Sequence, residues 1–233
     1  TPLLTATATP LPLAAWTAEG DALLRQSDFA GAEAAYRRAI AADPAYAPAQ
    51  IGLADALSWQ ATRRSDALAQ AKKATELAPT SAAAYAILAR VHLAMSSATE
   101  ALTAAQRAVE LDAQSALAQA LLARARLADR RYDEARQAAE QAIKLDERFA
   151  EGYCVLSSYY RQTADFARSC AAIAQAISLE PSSAPWYDAA GNAWRQAGDY
   201  EKAAALYGEA LELAPDDLST LLDFAYLHMV QRA

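Results

Sequence analysis

Two histidines and two cysteines are the side chains of this chain best suited to acid–base, nucleophilic or metal chemistry. Their placement points away from all three. His92 and His228 stand at one and the same position of the repeat described below, and neither has a paired nucleophile in reach, which a catalytic base requires. Cys154 and Cys170 fall on opposite helices of one hairpin, roughly eleven and five residues from its turn. At about 1.5 Å of rise per residue they are offset by several Å, too far for a disulfide, so two reduced thiols are expected. Neither Cys-x-x-Cys nor a paired-histidine spacing occurs, and there is no glycine-rich phosphate loop. No catalytic residue, metal or cofactor is expected. The motif-like tetrads Arg130-Arg131-Tyr132-Asp133 and Ala197-Gly198-Asp199-Tyr200 read as turns between helices.

The elements that carry these residues are helical. Of 233 residues 65 are Ala, against 7 Gly and 9 Pro, and Ala loses least on entering a helix. The net charge of −7 argues against a nucleic-acid partner, which needs concentrated Lys and Arg, and against an anionic membrane surface. No apolar run approaches the roughly 20 residues that span a bilayer.

An internal period organises the chain. Ala39, Ala74, Ala108, Ala142, Ala176 and Ala210 are separated by 35, 34, 34, 34 and 34 residues. A second series, Gly20, Ala54, Ala89, Ala123, Ser157, Gly191 and Ala225, keeps the same register. Pro44, Pro79, Pro181 and Pro215 follow it too, marking where alternate helices end. All three series report one extra residue in the second unit, which the two small-residue series place around Trp59 to Asp66. Asp28, Asp165 and Asp199 recur at equivalent turns, where a carboxylate caps the helix that follows.

A 34-residue helix–turn–helix period with Trp16, Gly20, Ala32, Tyr36 and Pro44 in its first unit and Tyr187, Gly191, Ala203, Tyr207 and Pro215 in its sixth resembles the tetratricopeptide repeat family. Tyr85, Leu88, Ala89 and Ala101, then Leu122, Ala123 and Ala135, continue the pattern between them, while Ser169, Ala113, Glu147 and Glu19 depart from it. The resemblance implies an all-α fold, a right-handed α-solenoid of antiparallel helix pairs. Six repeats are expected at 13–46, 47–81, 82–115, 116–149, 150–183 and 184–217. A Thr/Pro-rich extended linker over 1–12 precedes them, and 218–233 forms a capping helix or the start of a seventh repeat.

In this family the first helix of each unit lines a concave groove that holds a peptide or a partner segment. Carried over, the second, fifth, ninth, twelfth and thirteenth places of each unit face that groove. They hold Thr17, Asp21, Ile51, Asp55 and Trp59 in the first two units. Arg90, Leu93, Leu117, Arg124, Leu127, Ser158, Arg161 and Gln162 follow in the next three, and Asp188, Asn192 and Arg195 in the sixth. The groove is thus acidic at its start and basic in its middle. Forked guanidinium groups among apolar neighbours suit a ligand with an acidic residue or free carboxylate, here near Arg90 and Arg124, unless nearby Asp and Glu pair with them. Relatives that hold chaperone tails use a Lys/Asn/Asn/Lys/Arg clamp, and the corresponding Thr17, Asp21, Gly52, Ala83 and Ile87 do not reproduce it.

The resulting expectation is a non-catalytic protein–protein interaction scaffold. The alternative is a regulatory or targeting module of a larger enzyme whose catalytic domain lies outside this stretch. The start at Thr1 without Met and the stop at Ala233 inside a helical pattern are read as marks of an excised piece, and the Thr/Pro-rich opening favours an extracytoplasmic setting. The apolar sequence Leu218–Val230 is expected to leave an uncovered face that supports weak self-association.

Overall fold

The computed structural model describes residues 13–231, so the linker expected over 1–12 lies outside the described residues. Six helical hairpins follow one another: α1 Leu13–Arg25 with α2 Phe29–Ala42, α3 Ala47–Ser58 with α4 Arg64–Leu77, and α5 Ala82–Ala94 with α6 Ala98–Leu111. The next three are α7 Ala116–Ala128 with α8 Tyr132–Leu145, α9 Ala150–Gln162 with α10 Phe166–Leu179, and α11 Ala184–Gln196 with α12 Tyr200–Leu213. A last helix, α13 Leu218–Gln231, packs on α11 and α12. Together they form a right-handed solenoid of antiparallel pairs, all helix and no strand among the described residues. None of these helices is long and apolar enough to cross a membrane.

Local chemistry explains where each helix begins. The carboxylates of Asp28, Asp165 and Asp199 accept the backbone N–H groups of Gly31, Arg168 and Lys202 at 2.8, 3.1 and 3.1 Å. Ser81 and Ser115 cap α5 and α7 through their hydroxyls, and Pro48 and Pro185 sit in the first turns of α3 and α11, where a missing N–H costs nothing. The hairpin turns share one device. Ser27, Ser96, Arg130, Ala164 and Gly198 take left-handed backbone angles, with φ of 59° to 87°, each two residues before a second helix. Only one of the five is the residue type that takes this conformation without cost. In the second unit the start-to-start distance is 17 residues, from 47 to 64, where the first unit takes 16, from 13 to 29. There a 3₁₀ turn at Ala61–Arg63 absorbs the extra residue.

The small columns are where helices touch. Ala32, Ala39, Ala74, Ala108, Ala142, Ala176 and Ala210 are fully buried or nearly so. A methyl group added at Gly20 would lie 2.6 Å from the ring of Tyr36, and one at Gly191 2.6 Å from the ring of Tyr207. These aromatic rings fill the space that glycine vacates, so the motif is a packing device.

Candidate functional site

The superhelix curves so tightly that its first unit reaches its fifth and sixth. The Ser27 hydroxyl, carried on the first left-handed turn, accepts the backbone N–H of Ala184 at 2.9 Å and donates to the carbonyl of Ser182 at 3.4 Å. Ser182 in return donates its hydroxyl to the carbonyl of Arg25 at 3.4 Å. Beside these bonds Trp59 stacks on Phe29 with centroids 6.1 Å apart and meets Trp186 edge-on at 6.3 Å. The Trp186 indole N–H is held by Glu180 at 2.7 Å. Trp59 ends α3 at the place where the extra residue enters, so the insertion and the seam belong to one feature.

Behind that seam lies a buried ion cluster. Arg90 makes a forked pair of bonds to Glu151, at 3.0 and 2.6 Å, and its guanidinium carbon sits 4.9 Å from the centre of the Trp59 ring. Arg124 donates to the same Glu151 at 3.0 Å. Asp55 approaches Arg90 Nε at 3.1 Å, but off the hydrogen-bond line, so the fork to Glu151 is the stronger contact. Burial pushes the carboxyl of Glu151 up, yet the two arginines outweigh it and hold it below the usual range. Burial also raises Asp55, and Arg90, already committed to Glu151, does not bring it back down.

In front of the cluster is a cavity of about 320 Å³. Trp59, Trp186 and Leu93 supply its apolar wall, and Arg124, Arg161, Asp188 and Asn192 its polar one. Burial, then the charges of Asp223 and Asp217, push the carboxyl of Asp188 up to about 7. Its Oδ1 is buried and has no hydrogen-bond partner among the described residues. Cys154 also lines the cavity; burial pushes its thiol up to about 12, so it is a poor nucleophile, and both cysteines are free.

The expected groove residues divide accordingly. Leu93, Arg90, Arg124, Ser158, Arg161 and Asn192 line the cavity together. Asp55 lines the seam beside Glu151. Leu117 and Leu127 are half-buried packing residues of the helix layer, and Arg195 turns toward the last helix, bonding Asn192 at 2.9 Å and covering the Tyr226 ring at 5.3 Å. A basic middle open to a ligand is therefore not what Arg90 provides: it is buried and carries two acidic partners. Glu151 and Cys154 are missing from the sequence expectation. They hold the second and fifth places of their unit, so the groove register alone reaches them.

At the far end the concave face changes character. One repeat after Asp188, Asn192 and Arg195 stand Leu222, Tyr226 and Met229, exposed by 63, 47 and 64 %. His228 is exposed against Phe224, and His92 is half-buried on the surface between α5 and α6, well apart from it.

Comparison with known proteins agrees with this architecture. Models described as tetratricopeptide repeat match residues 17–58, 57–116 and 88–153 from one of them, 150–183 from a second and 184–217 from a third. No curated protein matches the chain. Among solved structures, a thermophilic tetratricopeptide protein of Thermus thermophilus superposes with a TM-score of 0.64 at 22 % identity, over 72 % of this chain and 92 % of that one. A tetratricopeptide repeat protein of Parabacteroides merdae gives 0.66 at 18 % identity, over 95 % and 86 %. The APC/C hetero-tetramer Cut9–Hcn1 gives 0.66 at 18 %, over 92 % of this chain and 42 % of that one.

Proposed function

We propose a function from one premise, that the chain belongs to the tetratricopeptide repeat family: it is a protein-interaction scaffold that holds a partner segment on the concave face of its C-terminal half. The observation that carries this reading is the contrast along that face. The seam ties the first unit to the start of α11 and the central arginine is neutralised, whereas α13 leaves Leu222, Tyr226 and Met229 exposed. Arg161 makes no ion pair among the described residues and Arg124 shares only Glu151, so both have donors to spare for a carboxylate. Beyond α11, whose Arg195 covers the Tyr226 ring, Leu222, Tyr226 and Met229 offer an apolar strip on α13, and exposed apolar patches of this kind mark interaction sites. The segment that fits carries an acidic group followed by apolar side chains. An extended peptide running the full length of the superhelix does not fit, because the contact between Ser27 and Ala184 stands across its path.

Panning a random peptide library on the immobilised protein tests this. A consensus pairing an acidic residue with apolar ones is expected from the wild type and is lost on the Arg161→Glu/Tyr226→Glu bait. A consensus without an acidic residue, or one unaffected by the two substitutions, refutes the reading. The Thr/Pro-rich composition of the opening supports an extracytoplasmic setting.

A further inference from the structure

The cavity behind the seam adds Asp188 and an aromatic wall that a partner segment on the strip leaves unused, and it shares Arg161 and Arg124 with that reading. It is enclosed on the N-terminal side, and its volume of about 320 Å³ falls at the lower end of small-ligand sites. Its charges are mixed. Arg124, Arg161 and Asp188 line it together with Cys154, and Glu151 lies behind Arg124, bonded to it at 3.0 Å. Glu151 is consumed by two arginines, so the groups left with unmet capacity are Arg161, part of Arg124, and Asp188. One side of the cavity thus lacks an anion and the other lacks a cation, and Trp186, Trp59 and Leu93 line the space as an apolar wall.

We propose that this cavity binds a small zwitterion of the α-amino acid class. Its carboxylate meets Arg161 and the free donors of Arg124, its ammonium meets Asp188, and an apolar side chain rests against Trp186 and Leu93. A metal ion answers Asp188 less well, because the described residues contain no group of three His, Cys, Asp or Glu placed to hold one. An ammonium answers it with donors for a carboxylate whose Oδ1 has none. The raised pKa of Asp188 agrees with a carboxylate waiting for a cation, and an ammonium bound beside it favours the ionised form.

Calorimetric titration of the whole chain with L-leucine and L-phenylalanine, beside N-acetyl-L-leucine and L-leucinamide, tests this at a pH above that of Asp188 titration. The free amino acids bind, and blocking either charge weakens binding by roughly tenfold or more, the loss expected when a charged hydrogen-bonding partner is removed. In Asp188→Asn, leucine loses its advantage over N-acetyl-leucine, and in Arg161→Gln it loses its advantage over leucinamide. Helix content by circular dichroism confirms that both variants fold. The proposal is overturned if leucine and phenylalanine show no binding at millimolar concentration, or if the blocked forms bind equally well. Peptide panning is independent of this titration: a lost amino-acid signal with an intact acidic consensus removes the zwitterion site alone, and the converse removes the partner-segment reading alone.

Discussion

Glu151 and Asp188 lie on the concave face of neighbouring units, both largely removed from water, and they end in opposite electrostatic states. Glu151 faces Arg90 and Arg124 and is held below the usual carboxylate range. Asp188 faces Asp217 and Asp223, accepts a long hydrogen bond from Asn192 at 3.4 Å, and is pushed up to about 7. Both stand on the first helix of their unit, at its second and fifth places, and the difference in their state comes from the charges that surround them. A satisfied buried charge holds the superhelix closed. An unsatisfied one marks a place where the protein is incomplete without something else.

Removing the partner on the satisfied side has the largest effect. Glu151→Ala leaves Arg90 buried against Trp59 with only the misaligned Asp55, and stability falls by about 3–5 kcal/mol, read from chemical denaturation. The Arg90→Met/Glu151→Leu double variant costs less than the single one, since it removes both charges together. A single variant no worse than the double shows that the cluster is not buried as described.

The two carboxylates also predict opposite responses to pH. The folded-state pKa of Glu151 is lowered, so its contribution is present above the unfolded value of 4.5 and is lost as pH falls through that region. The folded-state pKa of Asp188 is raised from 3.8 to about 7, so the native state binds the extra proton in that window. Stability from Asp188 therefore declines as pH rises from 3.8 to about 7, with a slope approaching about 1.4 kcal/mol per pH unit. Asp188→Asn flattens the profile over that window and is more stable than wild type at pH above it. Denaturation midpoints measured across the window that fall equally in both proteins contradict the assignment.

How much of this contrast could be read from sequence follows from how it arises. The period, the small columns at Gly20 to Ala225 and Ala39 to Ala210, and the capping aspartates repeat with the unit, so each is stated several times in the sequence. The cavity residues Arg90, Arg124, Ser158, Arg161 and Asn192 are reached by the same register. Their pairing is not, because Arg90 and Glu151 are 61 residues apart, and Ser27 and Ala184 are 157. Such contacts depend on small rotations summed over several units, and no local pattern encodes that sum. The left-handed turn at Ser27, Ser96, Arg130 and Ala164 is hidden for another reason: glycine announces it only at Gly198.

Packing in the two end units can be probed without touching a charge. Gly20 and Gly191 occupy one place in the first and sixth units, each against a tyrosine ring. Ala at either site pushes its methyl group into Tyr36 or Tyr207 and costs about 1–3 kcal/mol, measured by thermal unfolding. Equal losses at both ends show that the glycine–tyrosine packing is the same in the first and sixth units, whatever charges stand near them. A loss only at Gly20 would assign the difference to looser packing at the C-terminal end instead.

The smallest effect on stability is expected on α13. Leu222 and Met229 are exposed by 63 and 64 %, so Leu222→Glu/Met229→Glu changes stability by no more than about 0.5 kcal/mol. Its effect on association is larger. Six exposed apolar side chains, Leu218, Leu221, Leu222, Tyr226, Met229 and Val230, lie on this one helix, and contiguous apolar surface of that kind drives weak contact between copies. Light scattering at rising concentration shows the wild type gaining mass while the double variant stays monomeric. A wild type that remains monomeric throughout removes self-association from the account of this end, and leaves its apolar strip to a partner segment alone.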